Sequence, residues 1–215
     1  MIALARSRSA PGGAGKEMFL SEQDIGRMEK LYGVPAVERM SCEMKEPEWT
    51  NLRGSQAHGR AHDVTLFVFH KGRLAVIAKH NYPPGLYRAP SGGVLPGETM
   101  AEGIAREMME ETGLEIRVKS YVLRVHVDFI HRKARIAWTT HVFTGERVLG
   151  RIRPRDTQEI REARWADLGE LAGGVRKKLL NSGSAGLRYR ALLHDRVMEE
   201  VGRRRERLGN SVKER

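Results

Sequence analysis

Alternation and helical periodicity along the chain mark a regular centre flanked by helical ends. Residues 64–70 (VTLFVFH) form a strand-like apolar run ending at a Lys71–Gly72 turn, and residues 73–80 (RLAVIAKH) follow as its hairpin partner. Residues 115–130 contain one or two further strands, and residues 135–146 supply another. In the latter, Ile136, Trp138, Thr140 and Val142 alternate with Ala137, Thr139, His141 and Phe143. Both sets have apolar members, which predicts a strand covered on two sides. Between these strand regions the period changes to that of a helix. Thr99 and Glu102 form a capping box, Ile104 and Met108 (with Ala101) form the apolar stripe, and Gly113 stands where a left-handed cap is needed. Pro90, Gly92, Gly93, Pro96 and Gly97 make the approach to that helix a loop.

The flanks are less regular. Ser21 and Asp24 resemble a capping box with the shorter acid, and Leu20 is placed to staple onto the helix. That helix should run to Tyr32 and stop at Gly33, before Pro35. Residues 36–44 read as a strand, and Glu46 to Ala61 as polar and irregular, with Trp49 as an anchor. After the centre come an arginine-rich loop at 148–158, a short strand at Ala163–Trp165 and a helical turn at Asp167–Leu171. Helices are expected at Arg176–Asn181 and Leu187–Leu208. In the second, the stripe Leu187, Ala191, His194, Met198 and Val201 predicts docking on the domain. Residues 1–17, small and Gly-rich, read as disordered, with Met18 as an alternative start. The resulting division is 1–17, an extension at 18–60, a core domain at 61–173 and a basic helical extension at 174–215. Strands on both sides of a central helix give an α/β or α+β class with a mixed sheet between helices.

A length of 215 residues suits one domain with extensions. No apolar run approaches the ~18 residues that span a bilayer, and MIALARSRSA makes a poor signal peptide. The single cysteine, Cys42, excludes an internal disulfide framework and reads as a structural thiol. These features predict a cytoplasmic protein with no membrane partner. The net charge of +11 divides into +1 for residues 1–60, +3 for 61–173 and +7 for 174–215. The basic C-terminus therefore suits a polyanion such as RNA, or simply a soluble helix.

The candidate chemistry lies on the central helix. Glu107, Glu110 and Glu111 share a face with Arg106 beside them. Taken alone, they could be a solvated acidic surface with an i,i+4 ion pair. Their repulsion would equally be relieved by a cation taking several oxygen ligands, and Mg²⁺ uses few carboxylates together with substrate phosphates. The full spacing narrows the choice: Gly92-x5-Glu98-x7-Arg106-Glu107-Met108-x-Glu110-Glu111-x-Gly113-Leu114. This resembles the Nudix box at every fixed position, and residues 159–171 (EIREARWADLGEL) resemble the family's late strand and turn.

That resemblance implies an α/β/α sandwich and an enzyme. The reaction implied is divalent-metal-dependent hydrolysis of the pyrophosphate bond in a nucleoside diphosphate linked to another moiety, with Mg²⁺ or Mn²⁺ held by Glu107, Glu110 and Glu111. Arg106 would fix the carboxylates, Glu98 would help bind metal or orient water, and the general base would be Glu98, Glu159, a box glutamate such as Glu110, or no single residue. Lys79, His80 and Arg88 lie where relatives contact phosphates, Arg88 foremost because its fork suits phosphate oxygens. Gly92 and Gly93 leave room for a phosphate or for the helix. Tyr82, Phe129, Trp138 and Phe143 are candidates to stack on a base, or core residues, and His126, His131 and His141 to line a cleft. The post-box run Val127-Asp128-Phe129-Ile130-His131 lacks the proline of some ADP-ribose hydrolases, the tyrosine of diadenosine polyphosphate hydrolases and the arrangement of NADH pyrophosphatases. These absences weaken each assignment and exclude none. The alternative implied is a regulatory domain that binds nucleotide or RNA with little catalysis. The chain would act as a monomer or homodimer.

Overall fold

The computed structural model describes residues 2–4, 20–57 and 60–213. Its elements are β1 (Ile2–Leu4), α1 (Glu22–Tyr32), β2 (Ala36–Glu43), α2 (Glu46–Ala57), β3 (His62–His70), β4 (Arg73–Lys79), β5 (Ser91–Gly93) and α3 (Met100–Thr112). There follow β6 (Glu115–His131), β7 (Ala134–Leu149), β8 (Ile160–Asp167), α4 (Leu168–Glu170), a π turn (Leu171–Val175), α5 (Arg176–Leu180) and α6 (Ala185–Lys213). Of residues 1–17, read as disordered, Ile2–Leu4 pair antiparallel with β2 and the rest lie outside the described residues.

One mixed sheet runs in the order β1-β2-β6-β7-β3-β4-β8, and β5 pairs with β3 off that path. The β2–β6 and β3–β7 pairs are parallel and the others antiparallel. Against one face, Ile25 and Met28 of α1 and Met100, Ile104 and Met108 of α3 enclose Val64, Leu66, Tyr121 and Phe143. Against the other, Trp49 of α2 and Tyr189, Leu193 and Val197 of α6 cover Phe67, Val125, Phe129 and Val142. This is the three-layer α/β/α arrangement. The strand β7 is buried on both faces, as its alternation predicts. Cys42 is fully buried, and burial pushes its thiol up to about 11, in keeping with a structural role.

Two local expectations are corrected, and one left open is decided. The segment from Glu46 is a helix rather than irregular chain. Its polar composition hides it, because Trp49 and the partly buried Leu52 are its main apolar contacts. Pro47 falls in the first turn, where a missing N–H is tolerated. Of the one or two strands read at 115–130 there is one, long, with register shifts between Val118 and Ser120 and between Tyr121 and Leu123. Second, α6 docks through Ala191, Leu193, His194 and Val197, with Leu187 and Val201 at the margin, while Met198 is 38% exposed. The buried face is set by the pair Leu193–Val197, which rotates Met198 toward solvent.

Two acidic side chains join neighbouring helices of the same layer at helix starts. Ser21 accepts the Asp24 N–H, as a cap should, but the Asp24 carboxylate does not return to Ser21: it accepts the Met100 N–H at 2.7 Å and so caps α3. Glu48 of α2 accepts the N–H groups of Ala185 and Gly186, both at 3.1 Å, and so caps α6.

Candidate active site

Helix α3 carries the site. It is fixed at its start by the Thr99–Glu102 capping box and ends at Gly113 in the left-handed region (φ 68°). Its apolar stripe faces the sheet, which puts Arg106, Glu107, Glu110 and Glu111 on the flank over β5. Glu107 and Glu111 are 8% and 3% exposed, while the Glu110 side chain remains 46% exposed. The Arg106 guanidinium ties the group together. It donates to Glu107 at 2.8 Å, Glu110 at 2.9 Å, both carboxylate oxygens of Glu98 at 2.8 and 3.0 Å, and the Gly93 carbonyl at 2.9 Å.

Glycine is required at 92 for a steric reason. A Cβ there would lie 1.8 Å from the carboxyl carbon of Glu107, so the carboxylate rests on bare backbone. At Gly113 a Cβ would lie 2.4 Å from the Arg153 carbonyl oxygen. The chain after β7 therefore runs tightly past the end of α3, and the N–H groups of Arg153, Arg155 and Asp156 bind the Thr112 and Glu110 carbonyls at 2.8–2.9 Å. They satisfy C-terminal acceptors that the helix itself cannot.

The carboxyls differ in their electrostatics. Burial, and then the charge of Glu111, raises the Glu107 carboxyl to about 7. Burial would raise Glu98 as well, but hydrogen bonds from Arg106 and the Leu95 N–H outweigh it and hold that carboxyl below its ordinary value. The donor set suits a hard divalent cation in type: buried carboxylates that repel one another on a shared helix face. It is not a finished cage. Among the described residues no three acidic, histidine or cysteine side chains converge as a metal cluster. The Arg106 guanidinium bridges Glu107 and Glu110 where such a cluster would close.

The other sequence candidates take different places. Arg88 is 3% exposed and donates to the Tyr82 hydroxyl, the Ala89 carbonyl, the Ser91 hydroxyl and Glu111. Those surroundings do not support the expected phosphate contact. Arg88 instead positions Glu111, whose second oxygen accepts the Ser91 N–H at 2.7 Å. Lys79 pairs with Glu159, and the His80 ring bonds the Thr157 carbonyl oxygen, so both hold the loop that bears Glu159. Gly93 lies beneath the Arg60 side chain. Phe129, Trp138 and Phe143 are core residues, and Tyr82 is spent on Arg88. His141 is fully buried between His62 and Tyr121, His131 stacks on Trp49, and His126 is half-buried against Thr139.

Sequence reasoning missed the residues that support the site from outside the box. His194 of α6 accepts the Ala89 N–H at 3.1 Å, next to Arg88. Burial drives its imidazole down to about 4, so it is neutral and able to accept. The helical stripe containing His194 was the available signal; its partner was not readable. In the sequence Asp24 reads as capping its own helix rather than α3, and Ser91 carries no signal.

The NUDIX domain model matches residues 58–187. Among curated proteins, the chain is 31% identical over 121 residues to the NAD-capped RNA hydrolase NudC of Chromobacterium violaceum, covering 56% of this chain and 43% of that protein. It is 29% identical over 115 residues to the mouse mitochondrial NAD(P)H pyrophosphatase NUDT13, covering 54% of this chain and 32% of that one. The chain thus spans less than half the length of these relatives. Their names belong to the class whose post-box arrangement this sequence lacks. Among solved structures it is similar to a UDP-X diphosphatase, at 19% identity and a TM-score of 0.41, covering 57% of this chain and 58% of that one.

Proposed function

This chain belongs to the NUDIX family, and from that premise we propose that it hydrolyses the pyrophosphate bond of a nucleoside diphosphate linked to a further moiety, with a divalent cation as cofactor. The observation that carries the reading is the seating of Glu107 on Gly92 beside the buried Glu111, with Arg106 fastening Glu98, Glu107 and Glu110 into one group. A solvated acidic face would need neither the burial nor the bare backbone. Dinucleotide pyrophosphates of the NAD type come first among substrates, on the names of the two curated relatives.

Glu107, Glu110 and Glu111 would hold Mg²⁺ or Mn²⁺. Such a cation polarises a phosphoryl oxygen and makes bound water a better nucleophile. The chain's own residues do the rest. Arg88 and the Ser91 N–H hold Glu111 in one orientation, and Arg106 does the same for Glu107 and Glu110. Water adds through its oxygen to one phosphorus, the bridging P–O bond breaks, and the water's proton passes to a base. Both Glu98 oxygens are engaged by Arg106, so Glu98 acts as an orienter and Glu159 takes the role of base. Glu159 is half exposed, with Lys79 as its partner in the chain. The regulatory, non-catalytic reading loses ground because no box glutamate is missing.

The test is a hydrolysis screen across NAD-type dinucleotides, nucleotide sugars and nucleoside triphosphates with Mg²⁺ and Mn²⁺. Glu107→Gln should lower turnover at least about a hundredfold, in the range of losing one preorganised electrostatic group. Glu111→Gln should do the same, but it also strips buried Arg88 of its counter-charge and must be read beside a melting curve. Glu115→Gln, exposed and just past the box, is the control. Equal turnover by Glu107→Gln and the unaltered protein at saturating metal refutes the reading.

A further inference from the structure

The most concentrated unneutralised charge at the site lies outside the box, on the segment that wraps the end of α3. From residue 151 to 155 exposure alternates: Arg151, Arg153 and Arg155 face solvent, while Ile152 and Pro154 turn inward. Ile152 packs against apolar residues of the core. Pro154 biases Arg153 toward an extended backbone. The hydrogen bonds from the Arg153 and Arg155 N–H groups to Thr112 and Glu110 pin the segment. The segment bends at Ile152 and Arg155 as it passes the end of α3, which concentrates three exposed guanidinium groups within five residues. Among the described residues, Arg151, Arg153 and Arg155 have no side-chain hydrogen bond or ion pair. The nearby acids are already spent: the Asp156 carboxylate accepts the Gln158 and Glu159 N–H groups, and Glu159 pairs with Lys79.

The basic C-terminal helix differs. Arg176 pairs with Asp195, Arg190 with Asp63, Arg196 with Glu38 and Glu199, and Arg203 and Arg204 with Glu200. Arg190 and Arg196 thus tie the helix to β3 and β2, Arg176 of α5 ties it to its neighbour, and the Glu199 and Glu200 pairs lie within it, so these cations are already neutralised.

We propose that Arg151, Arg153 and Arg155 form a track for the phosphates of a single-stranded RNA whose 5′ end reaches the carboxylates of α3. The inference rests on the hydrolytic reading of that site for the position of the 5′ end, but binding alone tests the track. Guanidinium forks match phosphate oxygens, and a cationic groove tracks a single strand without reading its sequence. The plain alternative is that these cations only complement the negative end of the α3 dipole. That role stabilises the helix and is indifferent to RNA.

The experiment compares the full chain, the triple variant R151Q/R153Q/R155Q and a control, R27Q/K30Q/K133Q, which removes three exposed charges elsewhere. Binding of a 20-nucleotide RNA is titrated from low to moderate salt without added divalent metal, and a polyglutamate peptide forms a second arm. The loop variant should lose roughly tenfold or more in RNA affinity at low salt. Its log–log salt slope should fall by about 2, at about 0.7 per phosphate contact. The control should retain both. Turnover of a mononucleotide-sized substrate should be unchanged in the loop variant. The proposal is overturned if the unaltered protein binds RNA without salt dependence, if the loop variant equals it, or if the control loses as much. Tighter binding of polyglutamate than of RNA also overturns it, in favour of a protein partner. Failure to turn over any substrate refutes the hydrolytic reading and leaves the binding result decisive for the track.

Discussion

At Gly92 a single missing carbon decides where a carboxylate sits. The 1.8 Å approach of a built Cβ to the Glu107 carboxyl carbon leaves no room for adjustment by the backbone of α3. Gly92→Ala should therefore displace the Glu107 side chain while leaving the layers intact. Calorimetric titration with Mn²⁺ should show weakened binding and turnover should fall at least about tenfold, comparable to loss of a group that orients a metal ligand. The melting temperature should move little. The same residue scale explains why the box was readable and its support was not. Gly92, Glu98, Arg106, Glu107, Glu110, Glu111 and Gly113 announce themselves by spacing. Arg88 does not: a lone arginine before a glycine loop looks like a phosphate ligand until its fork is seen to be spent on Ser91, Ala89 and Glu111.

At the scale of elements, α3 is held at both ends by chain remote in sequence. Asp24 of α1 caps its start, and the backbone at 153–156 binds its last carbonyls. Asp24→Ala should cost about 1 kcal/mol, the usual loss for a helix cap, read as a fall in the denaturant midpoint without a change in slope. Asp24→Asn should recover most of it. The elements themselves were legible wherever apolar periodicity was strong, as in α1, β3, β4, α3 and β7. The pattern failed for α2, whose one deeply buried anchor is Trp49, and misplaced the face of α6, where Met198 is apolar but points outward. In both cases tertiary packing sets what a one-dimensional pattern cannot. The caps from Asp24 and Glu48 join helices remote in sequence and have no local signature.

Across the whole molecule, three imidazoles are held neutral inside the layers. Burial lowers His62 and His194 to about 4 and puts His141 well below its ordinary value. Each is depressed in the folded state, so its contribution is complete above about 6.5, the value in an open chain. It is lost progressively as pH falls from there toward 4, because the unfolded chain binds the protons first. For His194 the stake is about 3 kcal/mol. Glu107, raised to about 7, works in the opposite sense and gives up its contribution as pH climbs from the ordinary carboxylate range through 7. With His126 also lowered by burial, four imidazoles against one carboxyl predict that metal-free protein melts at progressively lower temperature between pH 6.5 and 4. His194→Gln, which keeps a hydrogen-bond acceptor, should flatten part of that decline. The contact between Glu48 and the start of α6 bears on the order of synthesis. Residues 46–57 leave the ribosome early, yet their carboxylate partner sits 138 positions later at Gly186. Until α6 emerges, the face of the sheet bearing Phe67, Val125 and Val142 lacks Tyr189, Leu193 and Val197 and is covered only in part, by Trp49. Closure of that face is thus a late event, because α2 and α6 must both be present before Glu48 can cap the last helix.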